Sequence, residues 1–296
     1  MRITRILIIF FSALTILLFV GSRIYERRTS DYIKPVITAD EDALEMPVSV
    51  TDEELLAGMT ASDNRDGDVT DTLIVSSRSK FIRPSTVKVY YAAFDKNNNV
   101  GTYTRELKYT DYVSPRFSVN APLCFIESEK RDVMQVLNRV TAFDCIDGDI
   151  TSQIMITQGE ERTVQEGVQA SEMILQVSNR SGDTSMLTLD VLFEDYNIFN
   201  QQKPHLSEYL VYTNVGETPD FAEFADGVGY GNNMTSFADL DMSREANVKI
   251  DTSKVDFETP GIYEVTYTLV RDTEEGRQMP LGSTTMIVVV EGEHGE

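Results

Sequence analysis

Asp63, Asp66 and Asp68 stand within six residues of one another, and Asp144, Asp147 and Asp149 reproduce their spacing 81 positions later. Carboxylate oxygens at that density are hard ligands of the kind that bind Ca²⁺. The spacing is not that of an EF-hand. With Gly67 at the loop glycine, the first ligand position falls on Ser62, and in the second copy it falls on an apolar residue. The other reading is architectural: each Asp accepts hydrogen bonds from its own turn, while Gly67 and Gly148 adopt positive φ. Turn capping is the preferred reading and weak Ca²⁺ binding the second; no other cofactor is expected.

The remaining chemistry-bearing residues are few. Cys124 and Cys145 are the two cysteines, and they lie 21 positions apart. They form either a disulfide, the favoured expectation for an exported module, or two free thiols. A bridge closing that loop would stabilise the fold by about 3 kcal/mol. The two histidines, His205 and His294, are too far apart in sequence to define a triad or a metal centre. There is no Gly-rich phosphate loop, and the 48 acidic residues make any paired-carboxylate hydrolase assignment uninformative. No enzyme is expected. Tyrosines are plentiful, but Tyr90, Tyr91, Tyr263 and Tyr267 read as core and cross-strand residues rather than as a sugar platform.

Charge and hydropathy bound the partners. The chain carries 26 Lys+Arg against 48 Asp+Glu, a net charge of −22. Residues 1–28 contribute +4 (five Arg, one Glu), which leaves −26 on the rest. A surface that negative repels phosphate backbones and argues against nucleic acid. Ile6 to Gly21 runs for 16 residues without a charge. It predicts a transmembrane helix that serves as an uncleaved signal anchor, in preference to a cleaved signal sequence. Arg23, Arg27, Arg28 and Lys34 after the span outnumber Arg2 and Arg5 before it, so the positive-inside rule opposes an external C-terminus. An external placement is nevertheless expected, because long domains translocate largely regardless of flanking charge.

Elements that would position these residues repeat as well. Pro35, Pro115 and Pro204 each open a unit, 80 and 89 residues apart. Inside the units the apolar period is two: Val87, Val89, Tyr91 and Ala93 in the first, and Tyr263, Val265, Tyr267 and Leu269 in the third. Hairpin turns are predicted at Phe94–Val100, Asn179–Asp183 and Asp272–Gly276, where Asn and Gly accept left-handed backbone. Short helical turns are predicted near Asp52–Ala57 and Pro219–Ala225. The expected fold is all-β: three tandem Ig-like antiparallel β-sandwiches after an N-terminal transmembrane helix. The expected boundaries are 1–28 for the anchor, 29–34 for a linker, 35–113, 114–197 and 198–292 for the sandwiches, and 293–296 for a polar tail.

These motifs together resemble the bacterial immunoglobulin-like repeat of Gram-positive surface proteins and some insecticidal crystal toxins. The resemblance rests on Pro35–Thr38, on Asp63–Thr70 and Asp144–Thr151, on Asp95 with Asn99, on Gly182, and on Pro260-Gly261-Ile262-Tyr263-Glu264-Val265-Thr266-Tyr267. It departs at Pro84-Ser85-Thr86-Val87, at Glu166-Gly167-Val168 and in the third unit, which lacks the acidic motif. It implies a cell-membrane protein with extracellular modules that acts as a stalk, adhesin or envelope-assembly component. The alternative is a module that binds a cell-surface protein or glycan, with the divergent third unit and its Gly227–Gly231 stretch as the reader.

Overall fold

The computed structural model describes residues 2–29, 31–127, 133–230, 233–240, 247–273 and 277–292. The tail 293–296 with His294, Gly231 of the glycine-rich stretch, and residues 274–276 of the third hairpin lie outside them. Helix α1 covers Arg2–Thr29. Its apolar stretch, Arg5–Tyr25, is 21 residues long. At 1.5 Å per residue that is about 31 Å, enough to match a hydrocarbon core of ~30 Å. The stretch is longer than the uncharged run because Arg23 and its neighbours continue the same helix.

The chain is all-β beyond α1 and divides into two compact units, Met1–Tyr112 and Val113–Glu296. In the first unit the strands are β1 (Val36–Ala39), β2 (Ala43–Met46), β3 (Met59–Asp63), β4 (Gly67–Asp68), β5 (Ile74–Arg78), β6 (Thr86–Phe94) and β7 (Val100–Tyr109). They form a three-stranded sheet, β1-β3-β4, and a four-stranded sheet, β2-β7-β6-β5. The short helix α2 (Asp52–Leu56) sits where a helical turn was expected. Its start is a capping box in which the Thr51 side chain accepts from the Glu54 amide and the Glu54 carboxylate accepts from the Thr51 amide.

The second unit repeats the plan twice. First come β8 (Arg116–Val119), β9 (Cys124–Ile126), β10 (Val140–Asp144), β11 (Gly148–Asp149), β12 (Met155–Gln165), β13 (Val168–Ser178) and β14 (Thr184–Glu194). They are followed by β15 (Gln202–Leu206), β16 (Leu210–Asn214), β17 (Ala225–Tyr230), β18 (Asn233–Ser236), β19 (Val248–Asp251), β20 (Gly261–Asp272) and β21 (Gln278–Glu291). The sheets are β11-β10-β8 with β12-β13-β14-β9, then β15-β17-β18 with β16-β21-β20-β19. Pro204 falls inside β15 rather than opening it, at the edge of its sheet, where a missing N–H is tolerated. Pro219–Ala225, expected to be helical, is a turn that leads into β17.

Pairing is antiparallel except once per repeat. β2 runs parallel to β7, β9 to β14 and β16 to β21. The cause is local. The opening segment pairs in the three-stranded sheet as β1 and then, three residues on, joins the other sheet beside its last strand as β2. Alternation places Val87, Val89, Tyr91 and Ala93 inward, and Val265, Tyr267 and Leu269 likewise, each buried. The β6–β7 and β13–β14 hairpins fall where predicted, and β20 pairs with β21 across the third.

In the second unit one hydrophobic cluster runs without a break through both sheet pairs, from Phe117 to Val290. Two tyrosines stitch them together. The Tyr209 amide donates to the Val119 carbonyl at 3.0 Å while its own carbonyl accepts from Ile287 at 2.9 Å. The Tyr212 hydroxyl accepts from the Phe117 amide at 3.0 Å, and the Arg116 guanidinium lies 4.9 Å from the centre of the Tyr212 ring.

Candidate functional site

The two acidic motifs fold identically. Asp63 Oδ1 accepts the Arg65 and Asp66 amides at 2.9 and 3.0 Å, and Asp144 Oδ1 accepts those of Ile146 and Asp147, both at 2.9 Å. These turns bring Gly67 and Gly148 to φ of 75° and 73°, which glycine adopts without a Cβ penalty. Asp68 and Asp149 accept the Thr70 and Thr151 amides at 3.0 and 2.9 Å. The threonine hydroxyls in turn accept the Ala61 and Ala142 amides, both at 3.0 Å. Asp66 Oδ2 accepts the Lys96 amide at 2.9 Å, and Asp147 Oδ2 accepts that of Arg180 at 2.7 Å. The motif therefore clamps its own turn to the following hairpin.

Hydrogen bonding holds several of these carboxyls below the ordinary aspartate value of 3.8: Asp63 through the Asp66 and Arg65 amides, Asp68 through the Thr70 hydroxyl and amide, Asp149 through those of Thr151. A folded value below the unfolded one contributes stability that is fully present above pH ~4 and lost as pH falls through the lower folded value.

Of the six candidate ligands, the structure does not bring the three in either motif together on one centre. Asp66 and Asp68 point to the hairpin and to Thr70 respectively. Among the described residues, the carboxylates whose oxygens do converge are Asp31, Asp63 and Asp95, with one oxygen from each lying within 4.8 Å of the others. All three are buried, with exposures of 9%, 8% and 6%. From the sequence, Asp31 falls in the expected linker 29–34 and Asp95 in a hairpin. The available signal was the replacement of Asp95 by Asn179 at the same place in the second repeat.

The structure does not form the expected disulfide: Cys124 and Cys145 are not bridged to each other. Cys124 opens β9, opposite Leu192 near the end of β14. Cys145 follows Asp144, whose carboxylate is bound by Asn179 just before β14 begins. The eight-residue step along β14 from Thr184 to Leu192 places the cysteines at opposite ends of the sandwich, roughly 25 Å apart at ~3.3 Å per residue. A disulfide requires Cα atoms within about 7 Å. Burial, with Glu194 nearby, pushes the Cys124 thiol well above its ordinary value, so it is a poor nucleophile.

The second unit also contains a cleft of about 990 Å³. Its walls include the outward residues of β13 and β14, among them Glu172, Thr188 and Asp190, and those of β20, Ile262, Glu264 and Thr266. Arg162 pairs with Asp190 on one wall, and Lys203 pairs with Glu194 deeper in. His205 lines the cleft as well, with a buried Nδ1 that has no hydrogen-bond partner; burial lowers its pKa and favours the neutral ring. Tyr263 borders it, its hydroxyl donating to the Thr259 carbonyl at 3.0 Å.

The geometry defines a class, an all-β chain of Ig-like sandwiches behind an apolar helix. No protein-family model matches it. The chain is 20% identical over 276 residues, 89% of its length, to an uncharacterized 81.3 kDa protein of Acholeplasma phage L2, and it spans about a third (34%) of that protein. Among solved structures it is similar to the CBM51-2 and INT domains of Clostridium perfringens ZmpB in complex with GlcNAc, at 14% identity, 88% of this chain, 42% of that one and a TM-score of 0.21. A lipoprotein from Bacteroides thetaiotaomicron matches at 12% identity, 86% and 98% coverage and a TM-score of 0.20. The Protocadherin GammaB4 extracellular domain matches at 12% identity, 86% and 49% coverage and a TM-score of 0.20. At those TM-scores the functional reading rests on this chain's own residues.

Proposed function

We propose that this protein is a membrane-anchored, non-catalytic array of Ig-like repeats of the bacterial surface type, with its sandwiches outside the cell as a stalk, adhesin or envelope-assembly component. The observation that carries the reading is the state of α1. None of the Arg5–Tyr25 stretch is buried by the rest of the chain, although it is apolar all round. A helix of that kind needs an apolar environment from elsewhere, and a bilayer supplies it. The turn-capping hydrogen bonds of the acidic motifs and the raised thiol of half-buried Cys124 are consistent with a non-catalytic role. With a C-terminal tag on the full chain, proteinase K added to intact cells is expected to remove the tagged sandwiches while a cytoplasmic marker survives. Full protection of the tag would overturn the external placement.

The cleft supports a second reading, recognition of a glycan or protein by the second unit. It combines Arg162, Lys203 and a neutral His205 with the apolar edge of Ile262 and Tyr263. The full chain in detergent micelles is expected to pull down its envelope ligand, and Arg162→Ala is expected to reduce capture about tenfold. Equal capture by the variant would assign recognition elsewhere.

A further inference from the structure

The matched repeats show what is unusual about Asp31, Asp63 and Asp95. Asp95 and Asn179 head equivalent hairpins: the Asp95 amide donates to the Asn99 carbonyl and the Asn179 amide to that of Asp183, at 3.3 and 3.0 Å. Their side-chain Oδ1 atoms accept the Asn99 and Asp183 amides at 2.7 and 3.0 Å. In the second repeat the partner aspartate is satisfied directly, because Asn179 Nδ2 donates to Asp144 Oδ2 at 3.0 Å. In the first repeat the donor is replaced by the Asp95 carboxylate. Asp63 Oδ2 is left buried with no hydrogen-bond partner, and so is Asp31 Oδ2. The remaining acceptors are used: Asp31 Oδ1 by the Ile33 amide at 3.0 Å, and Asp95 Oδ2 by Asn99 Nδ2 at 2.7 Å.

Charge points the same way. Among the described residues, the cation paired with the three buried carboxylates is the Arg65 guanidinium, whose Nε lies 3.6 Å from Asp31 Oδ2. Carboxylates gathered in a buried site are costly to leave without further counter-charge. One divalent ion supplies it. Three oxygens within 4.8 Å of one another are close enough to share one ion, because ligands at ~2.4 Å from a Ca²⁺ stand at most about 4.8 Å apart. Mg²⁺ fits less well, because it needs near-ideal octahedral geometry and gives up its waters reluctantly.

We propose that Asp31, Asp63 and Asp95 form a divalent-cation site, selective for Ca²⁺, that ties the segment following α1 to the β3–β4 turn and the β6–β7 hairpin. Asn99 already bridges these parts, its Nδ2 donating to the Asp31 carbonyl at 3.0 Å. The ion adds three charged bonds to the same junction, so the juxtamembrane segment is held to the first unit when Ca²⁺ is present and loosened when it is not.

The test uses the full chain in detergent micelles, stripped with a chelator and titrated with CaCl₂ or MgCl₂ by calorimetry, with amide exchange followed in parallel. One equivalent of Ca²⁺ is expected to bind with half-saturation between about 0.1 and 1 mM, the range of extracellular modules, and Mg²⁺ at least tenfold more weakly. Exchange at Ile33, Arg65 and Asp66 is expected to slow on binding. Asp95→Asn installs the arrangement already present at Asn179, so it is expected to fold and to lose Ca²⁺ binding by at least tenfold. Asp149→Asn, outside the cluster, is expected to bind as the parent does. Absence of binding by the parent up to about 10 mM Ca²⁺, or undiminished binding by Asp95→Asn, would overturn the proposal.

Discussion

Asp144→Ala is expected to destabilise the second unit by about 3–5 kcal/mol, far more than any other single change in the acidic motifs of that unit. The residue is 1% exposed and serves three donors: the Ile146 and Asp147 amides and Asn179 Nδ2. Truncation removes hydrogen bonds to a charged acceptor, worth about 1.5–3 kcal/mol each, and strands donors in a dry turn. It also removes the Asn179 bond between the β13–β14 hairpin and the β10–β11 turn, to which the Asp147–Arg180 contacts also contribute. Asp149→Ala, at an exposed position, is expected to move the unfolding midpoint far less. Urea unfolding of both variants decides the matter; equal midpoints would show that the motif's strength does not depend on its buried member.

Leu269→Ala is expected to cost about 2–5 kcal/mol and to lower the melting of both sheet pairs of the second unit together. Leu269 is fully buried in β20 within the continuous cluster, and its truncation leaves a cavity there. The shared outcome follows from the continuous cluster. With no dry boundary between the pairs, and with Tyr209 and Tyr212 bonded across, neither pair opens without exposing the other's core. In calorimetry of the full chain, the first unit is expected to melt as a separate transition that the substitution leaves in place. The transition of the second unit is expected to fall by roughly 6–12 °C for about 3 kcal/mol in a unit of this size. Splitting of that transition, with only part of it displaced, would show the two pairs to be independent.

These expectations draw on different depths of the molecule. The hairpins at Phe94–Val100 and Asn179–Asp183 and the inward faces of β6 and β20 were legible because both are local: turn chemistry acts over four or five residues, and a strand's two faces alternate by one. The capping of Asp63 and Asp144 was legible for the same reason, since each accepts amides two and three residues on. The parallel pairing of β2 with β7 was not, because it joins segments some 60 residues apart and depends on where the opening strand changes sheets. Cys124 and Cys145 misled for a related reason. Twenty-one residues of chain suggest proximity, but a sandwich carries its strands from one end to the other within that length.

By itself, the sequence determined the repeat, the β-class, the apolar helix and the turn role of Asp-Gly-Asp, all of which rest on periodicity and short-range hydrogen bonding. Only the tertiary structure decided that the second and third sheet pairs share one core, that the cysteines lie apart, and that Asp31 meets Asp63 and Asp95. The physical reason is burial. Which carboxylate loses water, and which oxygen is left without a donor, is set by segments more than 30 residues apart in the chain, and no local pattern records it.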